Sequence, residues 1–231
     1  MKRFYREVSV AEADGGFQAM LDGRPVRTQG GNAQIVPTCE LADLLACEWE
    51  QQGEVIDPAA FAHRDRADYT IDHVSDNRAA VVARLLSYAE TDTLCYRADP
   101  EEPLFRRQQD EWEPVLTSFE RRHGVRFERV SGIVHRPQPA ATLKVLRAEL
   151  EGKDAFTLAA LEGMASLAAS LVVAMEAVKP DSDPEMLWNA AELEERWQAE
   201  LWGQDAEAVK RAERRRRDFL SAYDFVRAVA R

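Results

Sequence analysis

Apolar residues recur at helical spacing through most of the chain beyond residue 100, and they alternate only near its start. Phe4 to Val10 alternates in part, Asp14-Gly15-Gly16 reads as a turn, and Phe17 to Leu21 reads as a second strand. Asp22-Gly23 is a hairpin signal, because both central positions of a two-residue turn want positive φ, which Gly23 adopts without strain. Arg24 to Thr28 can pair back, Gly30-Gly31-Asn32 breaks the strand, and Gln34 to Val36 is a last short strand. Thr38 can cap a helix that runs to about Gln52 and stops at Gly53. Asp57-Pro58 opens a short helix, and Val81, Val82, Leu85, Leu86 and Ala89 define the apolar face of a longer one.

After Pro103 the pattern predicts helices over 104–123, 139–151, 155–178, 184–201 and 205–230, with a short strand at 125–130. The fold class is therefore α+β. A small β-rich N-terminal domain with one or two helices (1–74) precedes a larger all-helical C-terminal domain (75–231). One stretch of that second part stands out. On a helix through Glu192–Gly203, Met186, Ala190, Leu193, Trp197 and Leu201 form one stripe, and Leu187, Ala191, Glu194, Gln198 and Trp202 lie beside it. Glu194 and Gln198 thus fall inside a wide apolar arc. Polar groups buried there without partners would cost roughly 1–3 kcal/mol each, so a partner must exist within this chain or on another one. Gln108 with Trp112 repeats the pattern four residues apart, and Glu48 adjoins Trp49.

Composition narrows the function. With 45% hydrophobic and 31% charged residues, the 231-residue chain is that of a globular protein. No apolar run reaches the ~18 residues of a membrane helix. Met1-Lys2-Arg3 opens without an apolar leader, which points to the cytoplasm of a bacterium, or to the mitochondrial matrix for a chain whose leader has been removed. Net charge is −11, which repels nucleic acid and anionic membranes, and the basic run Lys210–Arg217 is interleaved with Glu213. Cys39, Cys47 and Cys95 have no metal spacing and are expected to be buried, reduced thiols.

No motif supplies an active site. Phosphate-binding glycine loops and Gly-x-Ser-x-Gly are absent, and His63-Arg64-Asp65 imitates a kinase triplet without any other kinase element. Asp68, Asp72 and His73 could be metal ligands, but His73 points about 100° from Asp72, so an ordinary charged surface helix is expected. Glu90 and Asp92 sit near a helix end. A small helical-pocket enzyme using Glu90, Asp92 or Glu194 as acid and base is the alternative to a binding protein.

The chain resembles the family of assembly chaperones that bind the free alpha subunit of the F-type ATP synthase. The resemblance is carried by Arg3-Phe4-Tyr5, by Leu21-Asp22-Gly23-Arg24-Pro25-Val26-Arg27-Thr28, and by Ala46-Cys47-Glu48-Trp49-Glu50-Gln51-Gln52-Gly53 with Ile56-Asp57-Pro58. It continues through Tyr88-Ala89-Glu90-Thr91-Asp92, Leu94-Cys95-Tyr96-Arg97, and Gln108 with Trp112 and Pro114, and closes with Leu193 to Gly203. Three departures stand out: Gln29 replaces the family's usual Pro, Phe61-Ala62-His63 follows the Asp-Pro where the family often has Met-Pro-Leu, and 65–69 is unusually charged. The resemblance implies no catalysis, no cofactor, and a client interface shielded until the ring assembles. The expected partner is the alpha subunit, with no nucleic acid and no membrane insertion, and the free protein is expected to be a monomer. Glu194, Glu195, Gln198 and Trp202 are expected to face the partner. Trp49, Asp92, Gln108, Trp112 and Gly23 are expected to hold the fold.

Overall fold

A computed structural model describes residues 1–132 and 135–230. Contacts divide the chain into two compact units: Met1–Arg78 with Asp154–Ala160 and the segment from Asp224 on, and Ala79–Lys153 with Leu161–Tyr223.

The first unit is built on a three-stranded antiparallel sheet, β1 (Val8–Ala13), β2 (Gly16–Leu21) and β3 (Arg24–Pro25), in that order. Both central residues of the second turn have positive φ, 49° at Asp22 and 73° at Gly23, as the hairpin signal requires. The Asp22 carboxylate accepts the Arg6 and Glu7 N–H groups at 3.0 and 2.9 Å, and so fixes the approach to β1. The first strand starts later than its alternation predicts. Tyr5 is instead buried against Trp49, with its hydroxyl donating to the Trp49 carbonyl at 2.5 Å, which pulls Phe4-Tyr5 off the sheet. Gln34–Val36 forms a single isolated bridge, between Phe17 and Val36. There the backbones approach so closely that a Cβ on Gly16 would lie 2.2 Å from the Val36 carbonyl oxygen.

Helix α1 (Cys39–Glu50) packs on β1 and β2 and is capped by Thr38, whose Oγ1 accepts the Leu41 N–H at 3.2 Å. Arg3 donates to the carbonyls of Glu50 and Gln52 at its other end. Helix α2 (Ala62–Tyr69) has no cap of its own, because Phe61 precedes it. The buried Glu48 of α1 does that work, accepting the His63 and Arg64 N–H groups at 2.7 and 2.8 Å. A π-helical turn, Thr70–Val74, extends α2. Phe225 and Phe156, from the two later segments of this unit, stack 6.2 Å apart, and Phe225 also stacks on His63 at 6.5 Å.

Asp68 and Asp72 do not lie on an ordinary surface helix. Asp68 is buried and accepts Gln34 Nε2 at 2.5 Å and the Gln29 N–H at 3.0 Å. Asp72 accepts Thr28 Oγ1, the Gly30 N–H and Asn32 Nδ2 within 2.8 Å. Together they clamp the loop after β3. Gln29 also reaches Asp65 at 3.3 Å, so two of the departures from the family pattern are partners: proline at this position would have no N–H for Asp68.

The second unit is helical: α3 (Arg78–Glu90), α4 (Pro103–His123), α5 (Ala140–Glu151), α6 (Ala155–Ala168), α7 (Leu171–Ala177), α8 (Pro184–Ala191), α9 (Leu193–Trp202) and α10 (Ala206–Val229), with α6 and α10 each shared with the first unit. The alternating stretch at 125–130 pairs only at its end, where β5 (Val130–Ser131) runs parallel to β4 (Tyr96–Arg97). Two helices that the pattern reads as continuous are broken. Ala169 stands at φ 47° and Ser170 caps α7 afresh, accepting the Val173 N–H at 3.0 Å. The second break, at Glu192, separates α8 from α9, and the buried Glu192 carboxylate pairs with Arg215 at 3.0 Å.

Only one of the three thiols is buried: Cys95 is, whereas Cys39 and Cys47 lie on the exposed face of α1. A thiol reagent should therefore titrate two cysteines in the native protein, and the third only on unfolding. Gly16→Ala should lower stability by about 2–4 kcal/mol in urea unfolding, because the added methyl meets backbone rather than a movable side chain.

Candidate partner-binding site

The site is assembled around Gln108, which is fully buried on α4. Its Oε1 accepts the Ala98 N–H just after β4 at 2.7 Å, and its Nε2 donates to Glu194 Oε1 on α9 at 2.7 Å. Its backbone carbonyl accepts Arg97 at 2.9 Å. Arg97 also pairs with Glu113 at 3.0 Å and lies 5.3 Å from the ring centre of Trp112. Glu113 is shared with Arg129 at 2.7 Å, and Arg129 pairs again with Glu120. Trp112 is buried and donates its indole N–H to the Ala190 carbonyl of α8 at 2.7 Å.

Two further ties join α9 to α4. Arg196 donates to Glu111 at 2.6 Å, and Arg107 to Glu200 at 2.5 Å, with the Arg107 guanidinium 5.3 Å from the Trp197 ring centre. What these ties leave outside is the end of the helix. Glu195 and Gln198 are exposed, Leu201 is 55% exposed and Trp202 is 77% exposed. The apolar arc read from the sequence is interrupted by the break at Glu192, and on α9 only Leu193 is buried, so its last turn is a surface and not core. Gln198 shares that surface, and Glu194 alone of the pair is half-buried. Burial raises the Glu194 pKa above the ordinary carboxylate range, Glu195 adds to the shift, and the Gln108 hydrogen bond opposes it.

Glu194, Trp197, Gln198, Leu201 and Trp202 line one side of a groove of about 1090 Å³, with Tyr96, Pro103 and Leu104 on the other. The sequence reading missed the wall formed by Pro103 and Leu104, for which only the start of a helix is visible in the chain. Trp49 and Gly23 belong to the other unit and take no part in this groove.

The carboxylates of the enzymatic alternative do not converge here. Asp92 is fully buried, and its oxygens accept the N–H groups of Leu94 and Val172 at 3.1 and 2.9 Å and the Ser170 hydroxyl at 2.7 Å. Glu90 is exposed, and neither residue lines the groove at Glu194. Among the described residues no cluster of His, Cys, Asp and Glu could hold a metal ion, and no helix is long and apolar enough to cross a membrane. In the basic run, Arg215 is spent on Glu192, on the Leu167 carbonyl and on the face of Trp188, and Arg216 pairs with Glu185.

The family described as ATP12 chaperone protein matches residues 2–120. The chain belongs to this family. The crystal structure of Atp12 from Paracoccus denitrificans is similar at 33% identity and a TM-score of 0.93, covering 99% of this chain and 98% of that one. The Atu1473 protein of Agrobacterium tumefaciens reaches 36% identity and a TM-score of 0.95 over 99% of this chain and 86% of its own. Protein atp12, mitochondrial, of Schizosaccharomyces pombe is 24% identical over 219 residues, 87% of this chain and 74% of that protein. The small β-rich part followed by a mostly helical part is the fold of the ATP12 structures. The residues matched by the family include Gln108 and Arg97, and the structural matches extend over α9.

Asp92 makes a pH-dependent contribution that can be measured. Burial pushes its pKa up to about 6, against the opposing pull of its hydrogen bonds. Because the folded-state pKa exceeds that of the unfolded chain, its contribution is complete below about pH 4 and is lost as pH rises through about 6. The stability difference between wild type and Asp92→Asn, from urea unfolding at a series of pH values, should shrink by up to about 3 kcal/mol across that interval.

Proposed function

We propose that this protein is an assembly chaperone for the F-type ATP synthase, which binds the free alpha subunit of the catalytic sector and covers its interface until the ring assembles. The observation that carries this reading is Trp202, a large apolar side chain held 77% exposed at the end of a helix that three polar ties fix in place. Membership of a chaperone family supports it. A free ring subunit exposes apolar surface and unpaired polar groups meant for its neighbours, and a binder needs aromatic anchors beside a few polar groups that set register. Leu201 and Trp202 are the anchors. Glu194, Glu195 and Gln198 set register. Release needs no energy source, because the neighbouring ring subunit can displace the chaperone by mass action.

Trp202→Ala removes a side chain that contributes little to folding. It should leave thermal unfolding unchanged and weaken capture of purified alpha subunit at least about 10-fold. Glu194→Lys, scored for stability and capture separately, should lose capture as well. Wild-type capture by folded forms of both variants would remove α9 from the client interface.

A further inference from the structure

The sheet of the first unit has an open edge. Strand β1 lies outermost and pairs only with β2. The ladder fixes where its backbone groups point. The Asp22 N–H donates to the Glu7 carbonyl at 3.0 Å, and in an antiparallel pair every second residue exchanges such bonds. Ser9, Ala11 and Ala13 therefore turn their N–H and C=O groups to β2. The far side of β2 obeys the same alternation: Phe17 exchanges bonds with Val36 at 2.8 Å, and the Ala19 carbonyl accepts the Val26 N–H at 3.0 Å. Val8, Val10 and Glu12 turn their backbone groups outward, and those groups have no hydrogen-bond partner among the described residues.

Edge strands are usually protected by lysine, proline, a bulge or very short length. Strand β1 has six residues, no lysine, no proline and an unbroken register. Its surroundings are acidic. No Lys or Arg lies between Arg6 and Arg24, or between Arg27 and Arg64, so β1, β2 and the whole of α1 carry no cation. Glu7, Glu12 and Asp14 are exposed along the edge, and Glu40 and Asp43 are exposed on α1. Pairing with the buried Leu21 and Ala19 puts Val8 and Val10, and with them Glu12, on the sheet face that α1 covers. The Cys39 thiol at the start of α1 senses these charges: desolvation raises its pKa, and Asp43, Glu40 and Glu12 raise it further. The nearest cation in sequence already has a carboxylate beside it. The Glu7 and Arg6 N–H groups lower the Asp22 pKa, and the Arg6 guanidinium adds to their effect.

We propose that the outer edge of β1 takes an extended polypeptide segment as a fourth strand of the three-stranded sheet. The segment that complements this edge is apolar and basic. It sets β-branched side chains beside Val8 and Val10, one cation beside Glu12 and another beside Glu7, and bonds through its main chain to the outward groups of Val8, Val10 and Glu12. In this mode of recognition backbone bonds supply affinity and alternate side chains supply selectivity. A second copy of the chain is the wrong occupant, because it would bring the same excess of carboxylate to both strands. Since the family's members are chaperones, the segment belongs to a client polypeptide. The site stands on β1 and does not depend on which client surface α9 engages.

The test uses the full chain labelled with nitrogen-15, with the Val8 and Val10 amide signals assigned from Val8→Ile and Val10→Ile. The probe is the peptide acetyl-Lys-Thr-Val-Thr-Val-Lys-amide. In antiparallel register its first lysine lies beside Glu12, its valines beside Val10 and Val8, and its last lysine beside Glu7. It should shift both amide signals saturably and slow the exchange of both N–H groups with solvent. N-methylation of its first valine removes the N–H that donates to Val10 and should abolish binding, whereas N-methylation of its second threonine, whose N–H points away, should not. The analogue with glutamate for both lysines should bind at least about 10-fold more weakly, and added salt should weaken the lysine peptide. Glu12→Lys, at an exposed position, should reduce affinity for the lysine peptide about 5-fold or more without altering thermal unfolding. Trp202→Ala should leave this binding unchanged, so failure here and failure of the α9 proposal are separate outcomes. The proposal is overturned by unmoved Val8 and Val10 signals, by an equal effect of N-methylation at the two positions, or by equal binding of the glutamate analogue. It is also overturned by protection of these N–H groups in the protein alone that grows with its concentration, which would mark a second copy as the occupant.

Discussion

A buried primary amide must satisfy a donor and an acceptor at once, and in this protein that constraint falls on Gln108. Its oxygen is fixed by the Ala98 N–H and its nitrogen by Glu194, so the end of β4, helix α4 and helix α9 can meet in one arrangement only. Arg97 depends on the same point. It lies on the Gln108 carbonyl and over Trp112, and the alternating row Arg97, Glu113, Arg129, Glu120 supplies the compensating charge. Such a network is unforgiving when one member is removed, because each lost partner leaves a desolvated group behind. Its value is geometric: it sets the direction in which α9 projects, and so where Leu201 and Trp202 stand.

The first unit uses carboxylates in the same way. Glu48 caps α2 from a different helix, Asp68 and Asp72 clamp the loop after β3, and Asp22 secures the approach to β1. Each accepts backbone N–H groups that no regular ladder reaches, which is why irregular backbone can be packed here without orphaned donors. Gln29 belongs to this system through its own N–H. A chain with proline at that position would have to secure the loop by other means, and the charged run at 65–68 would lose one of its tasks.

The elements legible in the sequence are those dictated by local chemistry. Asp22-Gly23 specifies its turn, Thr38 its helix start, and the spacing of Val81, Val82, Leu85, Leu86 and Ala89 its buried face, because the deciding atoms lie within a few residues of each other. The breaks at Ala169 and Glu192 are not legible. Neither position carries glycine or proline, the apolar period runs straight through both, and the cause is distant in sequence: Asp92 takes the Ser170 hydroxyl and the Val172 N–H, and Arg215 takes Glu192. For the same reason Asp68 and Asp72 read as solvated charges, since nothing nearby in sequence reveals the loop they bind. The α9 region stands between these cases. Its composition marks Glu194 and Gln198 as unusual, but only packing distinguishes them, with Glu194 drawn in by Gln108 and Gln198 left on the surface beside Trp202.

Helix α9 differs from its neighbours in how it is held. All seven residues of α7 are buried, whereas on α9 only Leu193 is. The remaining hold is polar, and partly exposed ion pairs such as Arg196–Glu111 and Arg107–Glu200 contribute about 0–1 kcal/mol each. A helix that buried its apolar face in the core would be more stable and would have nothing left to offer a partner. Polar ties resolve that conflict, because they fix direction and register while leaving the apolar face unspent. They also keep the helix among the less strongly anchored elements of the fold, and surfaces that must accommodate a partner and later release it are drawn from that part of the stability range. The exposed Trp202 and the modest strength of the ties that position it are thus two consequences of one design, in which apolar surface is withheld from the core and orientation is supplied by hydrogen bonds.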